Sequence, residues 1–367
     1  MEIPFFNYPD LFKQNKNELI KIFEDVGNRG AFILQKDLSE FESNLANLTG
    51  ANYAVGVGNA TDGLQLALIA GEIEKESEVI ISSHTMIATA NAIYHAGCKP
   101  IPVEAGSDSM IDYNSIEMVI NEKTKAIMPT HLNGRTCDMD KISIIAEKYD
   151  LDLYEDAAQG LGSSFKGKSA GTFGVASAVS FYPAKNLGSL GDAGAVLTND
   201  QDVYEKLMML RDHGRDPKNG QILCWGLNSR LDNLQAAFLN YMLKNYAGII
   251  DRRRQIASIY NKELLSVSQI QLPPPPNEGN HFDVFQNYEI QANNRDELMQ
   301  FLYNKGIGSL VQWSGKAIHQ FTNLGFNQKC PNTDILFERI LMIPLNMSIT
   351  DEQVLKVCKS IKEYYSY

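Results

Sequence analysis

From Tyr53 onward the chain alternates short apolar runs with amphipathic stretches. Seven runs have the length and the small, β-branched or aromatic content of strands, at 53–57, 78–82, 99–103, 126–130, 152–155, 176–182 and 193–198. Helical spacing fills most of the gaps, as at Ile142, Ile145, Ala146 and Tyr149. Asn114 with Glu117 three residues later reads as a helix start. Such alternation predicts an α/β fold with a mainly parallel sheet covered on both faces. Ahead of it, Leu19, Ile22, Phe23 and Val26 predict a helix after a short arm, and Leu38, Phe41, Leu45 and Leu48 predict a second.

After Gly194 the pattern changes. One long helical region spans 231–265, and its run Arg252-Arg253-Arg254 reads as a solvated face rather than a phosphate contact. Pro273 to Pro276 mark an extended connector. A strand at 285–291, a helix at 295–304, a strand at 306–311 and a helix at 350–364 predict a small α/β lobe. A chain of 367 residues is long for one core, so two domains are expected, 1–245 and 246–367.

Composition narrows the function classes. The 44% hydrophobic and 21% charged residues are those of an ordinary globular protein. A net charge of −11 argues against nucleic-acid binding through bulk electrostatics. No apolar run approaches the roughly 20 residues of a membrane span, and Met1-Glu2-Ile3-Pro4 lacks the pattern of a secretory leader. The 5 cysteines are scattered without a CxxC, which suits reduced thiols in the cytoplasm. No HExxH motif or clustered Cys/His spacing suggests a metal.

Three places carry candidate chemistry. Lys185, in Ser180-Phe181-Tyr182-Pro183-Ala184-Lys185-Asn186-Leu187-Gly188, follows a predicted strand that cannot continue through Pro183. A lysine on such a loop, once desolvated, can form a Schiff base with a carbonyl or with pyridoxal phosphate. Taken alone, it reads more readily as a solvated surface lysine. Asp156 ends another predicted strand, and pyridoxal phosphate needs an acid to keep its ring nitrogen protonated. Gly56-Val57-Gly58-Asn59-Ala60-Thr61-Asp62-Gly63 leads from a strand into a helix N-terminus, where free amides and the dipole attract phosphate. Together they make a Schiff-base lysine, a ring-nitrogen acid and a phosphate cradle.

These motifs, with Gly30-Ala31-Phe32-Ile33-Leu34, Glu155-Asp156-Ala157-Ala158-Gln159, Gly191-Asp192-Ala193-Gly194-Ala195 and Asn228-Ser229-Arg230-Leu231-Asp232, resemble the DegT/DnrJ/EryC1/StrS family of sugar aminotransferases over nearly the whole chain. The resemblance implies the fold type I architecture of pyridoxal-phosphate-dependent transferases: an N-terminal arm and large cofactor-binding domain at 1–245, and a smaller α/β domain at 246–367. It implies Lys185 as the Schiff-base lysine, Asp156 as partner of the pyridine nitrogen and Gln159 as partner of the ring hydroxyl. Ser180 and the backbone of Ala60 and Thr61 resemble the phosphate site. Asn228 resembles the asparagine that reaches the cofactor phosphate of a neighbouring subunit, so a homodimer is implied.

Three departures stand out. Met86 replaces the family's aromatic ring over the cofactor, and a thioether covers a ring face without aromatic stacking geometry. Ala60 replaces a glycine, so the turn there must avoid positive φ or bear strain. Val311-Gln312-Trp313-Ser314 stands at the family's His-Tyr-Pro stretch beside the substrate pocket.

The expected activity is transfer of an amino group from an amino acid, with glutamate the implied donor, to a keto group of a nucleotide-linked deoxysugar. A cyclitol or another small ketone is the alternative acceptor. A dinucleotide reading of Gly56-Val57-Gly58 lacks its third glycine, where Thr61 stands, and leaves Lys185 and Asp156 without a role. A non-catalytic regulator on the same fold leaves all three parts unused. Of the histidines, His84 and His131 follow strands on the side of Lys185, His213 sits in a polar loop, and His319 follows the Gln312 segment. Each is a candidate contact and equally an ordinary polar residue.

Overall fold

The computed structural model describes residues 2–276 and 279–365. Met1, which heads the stretch read for a leader, lies outside them. The large sheet contains β1 (Tyr53–Val57), β2 (Glu78–Ser82), β3 (Lys99–Val103), β4 (Thr124–Met128), β5 (Asp152–Asp156), β6 (Ala176–Ser180) and β7 (Gly194–Thr198). Its order is β1-β7-β6-β5-β4-β2-β3. β7 runs antiparallel to both neighbours, and the other pairings are parallel. The carboxyl ends of β1 to β6 therefore share one edge, and the amino end of β7 lies there too. That edge is where an open α/β sheet places its ligands.

Neighbouring residues of one strand enter different cores because side chains alternate across a sheet. Val55, Val57, Ala178 and Val196 pack with the helix Ala60–Ala70 on one face. Ala54, Val179, Ala195 and Leu197 pack on the other with Leu38, Phe41 and Leu45 of the helix Lys36–Thr49. The arm helix is Tyr8–Arg29, with Leu19 and Val26 buried and Phe23 exposed.

The second sheet joins β8 (Ile270–Gln271), β9 (Tyr288–Ala292) and β10 (Ile340–Ile343), all antiparallel, in the order β8-β9-β10. Its core takes Ile3 from the arm, the carboxyl half of the helix Tyr246–Leu264 and the helix Asp351–Tyr365. The amino end of Tyr246–Leu264 packs instead with the large sheet through Tyr246, Ile249 and Ile250.

Several boundaries differ from the sequence reading. The expected helix at 231–265 is two helices, Asn233–Leu243 and Tyr246–Leu264, interrupted at Lys244 and Asn245. The expected strand at 306–311 forms only isolated bridges, Ile307 with Ile3 and Leu310 with Met342. At the short helix Tyr113–Ile116 the cap is Asp112, not Asn114. The arginine run is not a solvated face. Arg253 is buried and donates to the carbonyls of Phe285, Gln286 and Leu345. Arg252 pairs with Asp351, and Arg254 donates to the Asp283 carbonyl. Periodicity cannot show this, because the acceptors are distant in sequence.

Candidate active site

Asp156 ends β5, and its buried carboxylate sits at the shared carboxyl edge. Oδ2 accepts the Thr89 hydroxyl at 2.6 Å and Oδ1 accepts the Ala158 amide at 3.1 Å. Thr89 also meets Thr85 at 2.9 Å, and Thr85 meets Thr130 at 2.8 Å, so a chain of hydroxyls fixes the acid. The sequence reading missed these threonines, whose signal is only their four-residue spacing at the head of the helix Ile87–His95. Both donors to the carboxylate are neutral, so a protonated ring nitrogen fits the charge that a buried acid calls for.

β6 runs beside β5 with Asp156 opposite Ala178, which brings the following turn alongside the acid. β6 ends at Ser180, three residues before Pro183. The Lys185 amide donates to the Tyr182 carbonyl at 2.8 Å, which closes a turn. Gly188 is needed there, because a Cβ would sit 2.7 Å from the Pro183 carbonyl oxygen. The lysine is half-buried in the chain by itself. Desolvation pushes its pKa down to about 8, and the charge of Asp156 opposes that shift. Lys185 thus gives up its proton more readily than an ordinary lysine. Its turn is also bracketed by Gln286, which donates to the Ala184 carbonyl at 2.8 Å and accepts the Asn186 amide at 2.8 Å. Nothing in the sequence marks Gln286, which lies about 100 residues away.

The helix Ala60–Ala70 begins at the same edge. Asn59 caps it by accepting the Asp62 amide at 2.9 Å, and the Ala60 and Thr61 amides open its first turn without intrahelical acceptors. Ala60 is helical and absent from the left-handed residues, so the missing glycine costs no backbone strain. Gly194, opposite both Val57 and Ser180, lets β7 approach this turn; a Cβ there would lie 2.6 Å from the Asn59 carbonyl carbon and 2.7 Å from the Ala60 nitrogen. Ser180 is half-buried beside it. Such a helix start beside Ser180 fits a phosphate.

The remaining expected residues fall in two groups. Gln159 is buried, and its Oε1 accepts the Asn133 amide at 2.8 Å and Asn287 Nδ2 at 3.4 Å, which leaves its amide NH2 as donor. Met86 caps the helix Ile87–His95 and is 49% exposed, so in this chain it covers little. Asn228 is exposed on the loop after Trp225 and joins the chain through a backbone bridge to Asp212.

His131 and His319 are buried and hydrogen-bonded through their rings. His131 Nδ1 accepts the Cys137 amide, so its Nε2 donates to Glu155 at 2.8 Å. His319 lies between Ser83 and Asp334. His84 is buried edge-on to Phe337, and burial lowers its pKa. His213 is exposed. Gln312 is buried with Nε2 on Glu289 at 2.6 Å and on Asn133 at 2.8 Å, followed by Trp313 and Ser314 at positive φ.

A family model described as the DegT/DnrJ/EryC1/StrS aminotransferase family matches residues 13–362. The chain is 34% identical to a "pleiotropic regulatory protein" of Geobacillus stearothermophilus over 100% of both chains. It is 34% identical to a UDP-N-acetyl-3-dehydro-alpha-D-glucosamine 3-aminotransferase of Acidithiobacillus ferrooxidans, covering 98% of this chain and 97% of that one. Its structure matches that of DesV from S. venezuelae in complex with a ketimine intermediate, with a TM-score of 0.95, 32% identity, and coverage of 100% of this chain and 99% of that one. The chain belongs to the DegT/DnrJ/EryC1/StrS aminotransferase family, with the fold type I architecture and the pyridoxal phosphate dependence of that family.

Proposed function

We propose that this aminotransferase moves an amino group from an amino acid, glutamate being the expected donor, to a keto group of a nucleotide-linked deoxysugar in glycan biosynthesis. The observation that carries the reading is the placement of a desolvated Lys185 on the turn beside the buried carboxylate of Asp156. Several relatives are named for transamination of UDP- or dTDP-linked sugars, which favours a nucleotide sugar over a cyclitol as acceptor.

Pyridoxal phosphate, when bound, supplies the electron sink for the transfer. Lys185 would hold it covalently and then, as a free amine, move the proton at the reacting carbon; a pKa near 8 suits both tasks. Asp156, held by Thr89, would keep the pyridine nitrogen protonated. Gln159 would donate to the ring hydroxyl. The Ala60 and Thr61 amides with Ser180 would bind the phosphate, and Met86 would lie over the ring.

Asn228 would complete the phosphate site of a second copy, in a homodimer with shared sites. Its own loop supports this, since Ile222, Leu223 and the 98% exposed Trp225 give it an apolar surface. Four of the cysteines are buried and free, which agrees with a cytoplasmic enzyme. Among the described residues no helix is long and apolar enough to cross a membrane.

The test is the visible spectrum of the purified protein with pyridoxal phosphate, beside a Lys185→Ala variant. Glutamate should bleach the band of the wild type, and a UDP- or dTDP-linked keto sugar should restore it. Absence of any band, with no borohydride-trapped adduct on Lys185, would reject the assignment. Restoration by a cyclitol ketone and not by a keto sugar would move the acceptor to the alternative class. Binding of the cofactor without bleaching by any amino donor would leave a regulator.

A further inference from the structure

The segment 284–289 joins the small lobe to the site. Gln286 is buried and grips the Lys185 turn on both sides, through the Ala184 carbonyl and the Asn186 amide. The next residue, Asn287, donates to Asn133 Oδ1 at 3.0 Å and to Gln159 Oε1 at 3.4 Å. Two residues on, the Glu289 carboxylate is 6% exposed and accepts from Asn133 Nδ2 at 3.2 Å, Gln312 Nε2 at 2.6 Å and Ser109 at 3.1 Å. One strip thus touches the turn that carries the lysine, the glutamine of the ring hydroxyl and the loop of Gln312.

Asn133 is the joint of this network. It stands in the left-handed region at φ 56°, which asparagine tolerates better than most residues. Its amide N–H holds Gln159 Oε1, and its side chain is fixed at both ends: Oδ1 accepts from Asn287 and Gln312, and Nδ2 donates to Glu289. With its carbonyl oxygen committed, Gln159 must present NH2 to any further partner. A hydrogen-bond network this buried is costly to leave half-made. The anchor is set from behind by Arg253, which donates to the carbonyls of Phe285 and Gln286. Asn133, Asn287 and Glu289 also line a cleft with Ser109, Arg135 and Phe285.

We propose that Gln286 and Glu289 are positioning residues for the two cofactor-facing groups of the large lobe, Gln286 for Lys185 and Glu289, through Asn133, for Gln159. Neither touches the reacting atoms. Their joint effect is to tie cofactor geometry to the docking of the small lobe and to the Gln312 loop. The inference rests on the reading of Lys185 and Gln159 given above.

The test uses full-length holoprotein with Gln286→Met, Glu289→Gln and Asn133→Gly, beside Gln159→Ala and Lys185→Ala. Gln286→Met removes both bonds to the lysine turn. Glu289→Gln keeps the shape but sets an NH2 group against a donor. Asn133→Gly keeps the amide bond to Gln159, tolerates the positive φ and removes the clamp. The readouts are the wavelength of the bound-cofactor band, its pH midpoint, cofactor dissociation and the split between KM and kcat. Loss of one such bond is expected to weaken cofactor retention roughly two- to tenfold. Glu289→Gln and Asn133→Gly should move the band as Gln159→Ala does, while Gln286→Met should shift the pH dependence of Lys185 trapping by borohydride.

Variants that lower thermal stability yet keep wild-type spectra, pH midpoints and kinetics would overturn the proposal, since a purely structural strip behaves so. If Gln159→Ala leaves the band unmoved, the ring-hydroxyl reading fails and the Glu289 arm falls with it. The Gln286 arm is then decided by trapping. If Lys185→Ala still yields a trapped adduct, the underlying reading of Lys185 is at fault and the Gln286 arm goes too.

Discussion

The Thr89 hydroxyl donates to Asp156 Oδ2 across 2.6 Å, and both groups are buried. The bond links the head of the helix Ile87–His95 to the end of β5, so the acid is fixed by a neighbour 67 residues earlier. Replacing Thr89 with valine keeps the branched shape and removes the donor. Hydrogen bonds to charged groups contribute about 1.5–3 kcal/mol, so cofactor binding should weaken on the order of tenfold or more. Fluorescence titration of the Thr89→Val apoprotein with pyridoxal phosphate checks this; unchanged binding would show that Asp156 does not depend on Thr89.

Lys185 gives a pH dependence of definite sign. Its pKa in the folded chain is about 8 against an ordinary 10.5, so between these values the unfolded chain binds more protons. The stability of the cofactor-free protein therefore rises with pH through that window as the penalty of burying the ammonium is relieved. Lys185→Met should stabilise the apoprotein at pH 7, and the gain should shrink above pH 8. Thermal melts of both proteins from pH 6 to 10 measure it, and a pH-independent difference would contradict the shifted lysine.

Gly194→Ala tests the phosphate turn. The added Cβ cannot lie 2.6 Å from the Asn59 carbonyl carbon, so β7 or the start of the helix Ala60–Ala70 must shift. Overpacking of this kind costs about 1–3 kcal/mol. We expect a lower melting temperature together with weaker retention of pyridoxal phosphate, read by dialysis and absorbance. A loss of stability with normal retention would separate the turn from phosphate binding.

Trp225 and Asn228 separate assembly from cofactor contact. Trp225→Glu places a charge on the most exposed large apolar side chain among the described residues and should lower the dimer fraction in analytical ultracentrifugation. Asn228→Ala should leave the sedimentation coefficient unchanged while weakening the cofactor, because its expected contact is made across the interface. A monomeric wild type would reject both expectations.

The candidate site could be sought in the sequence because its expected chemistry sits in short contiguous motifs. The strand residues of β1, β2 and β3 were readable to the residue, since apolar runs bounded by turn formers mark buried parallel strands. Asp156 could be placed at a strand end and Lys185 beyond one, although β6 stops at Ser180, before Pro183. The reading of 231–265 as one helix failed at Lys244 and Asn245, where helical periodicity persists across the break. The expected strand at 306–311 failed because Ile307 and Leu310 find only single partners, in the arm and in β10.

The groups proposed to orient the chemistry were not legible. Thr89, Asn133, Gln286 and Glu289 carry no motif, and each acts on a residue between 26 and about 100 positions away or on another such residue. Arg253 shows the same limit, since its charge suggests solvent while its carbonyl acceptors place it in the interior.

The sequence by itself determined the fold class, the family and the order of the candidate lysine, acid and phosphate turn. Those rest on local periodicity and on contiguous residues whose chemistry is intrinsic. Only the tertiary structure decided the lowered pKa of Lys185, the anchoring of Asp156 by Thr89 and the hold of the segment 284–289 on the site. Desolvation and hydrogen bonding depend on which distant groups the fold brings within about 3 Å, and no linear pattern records that distance.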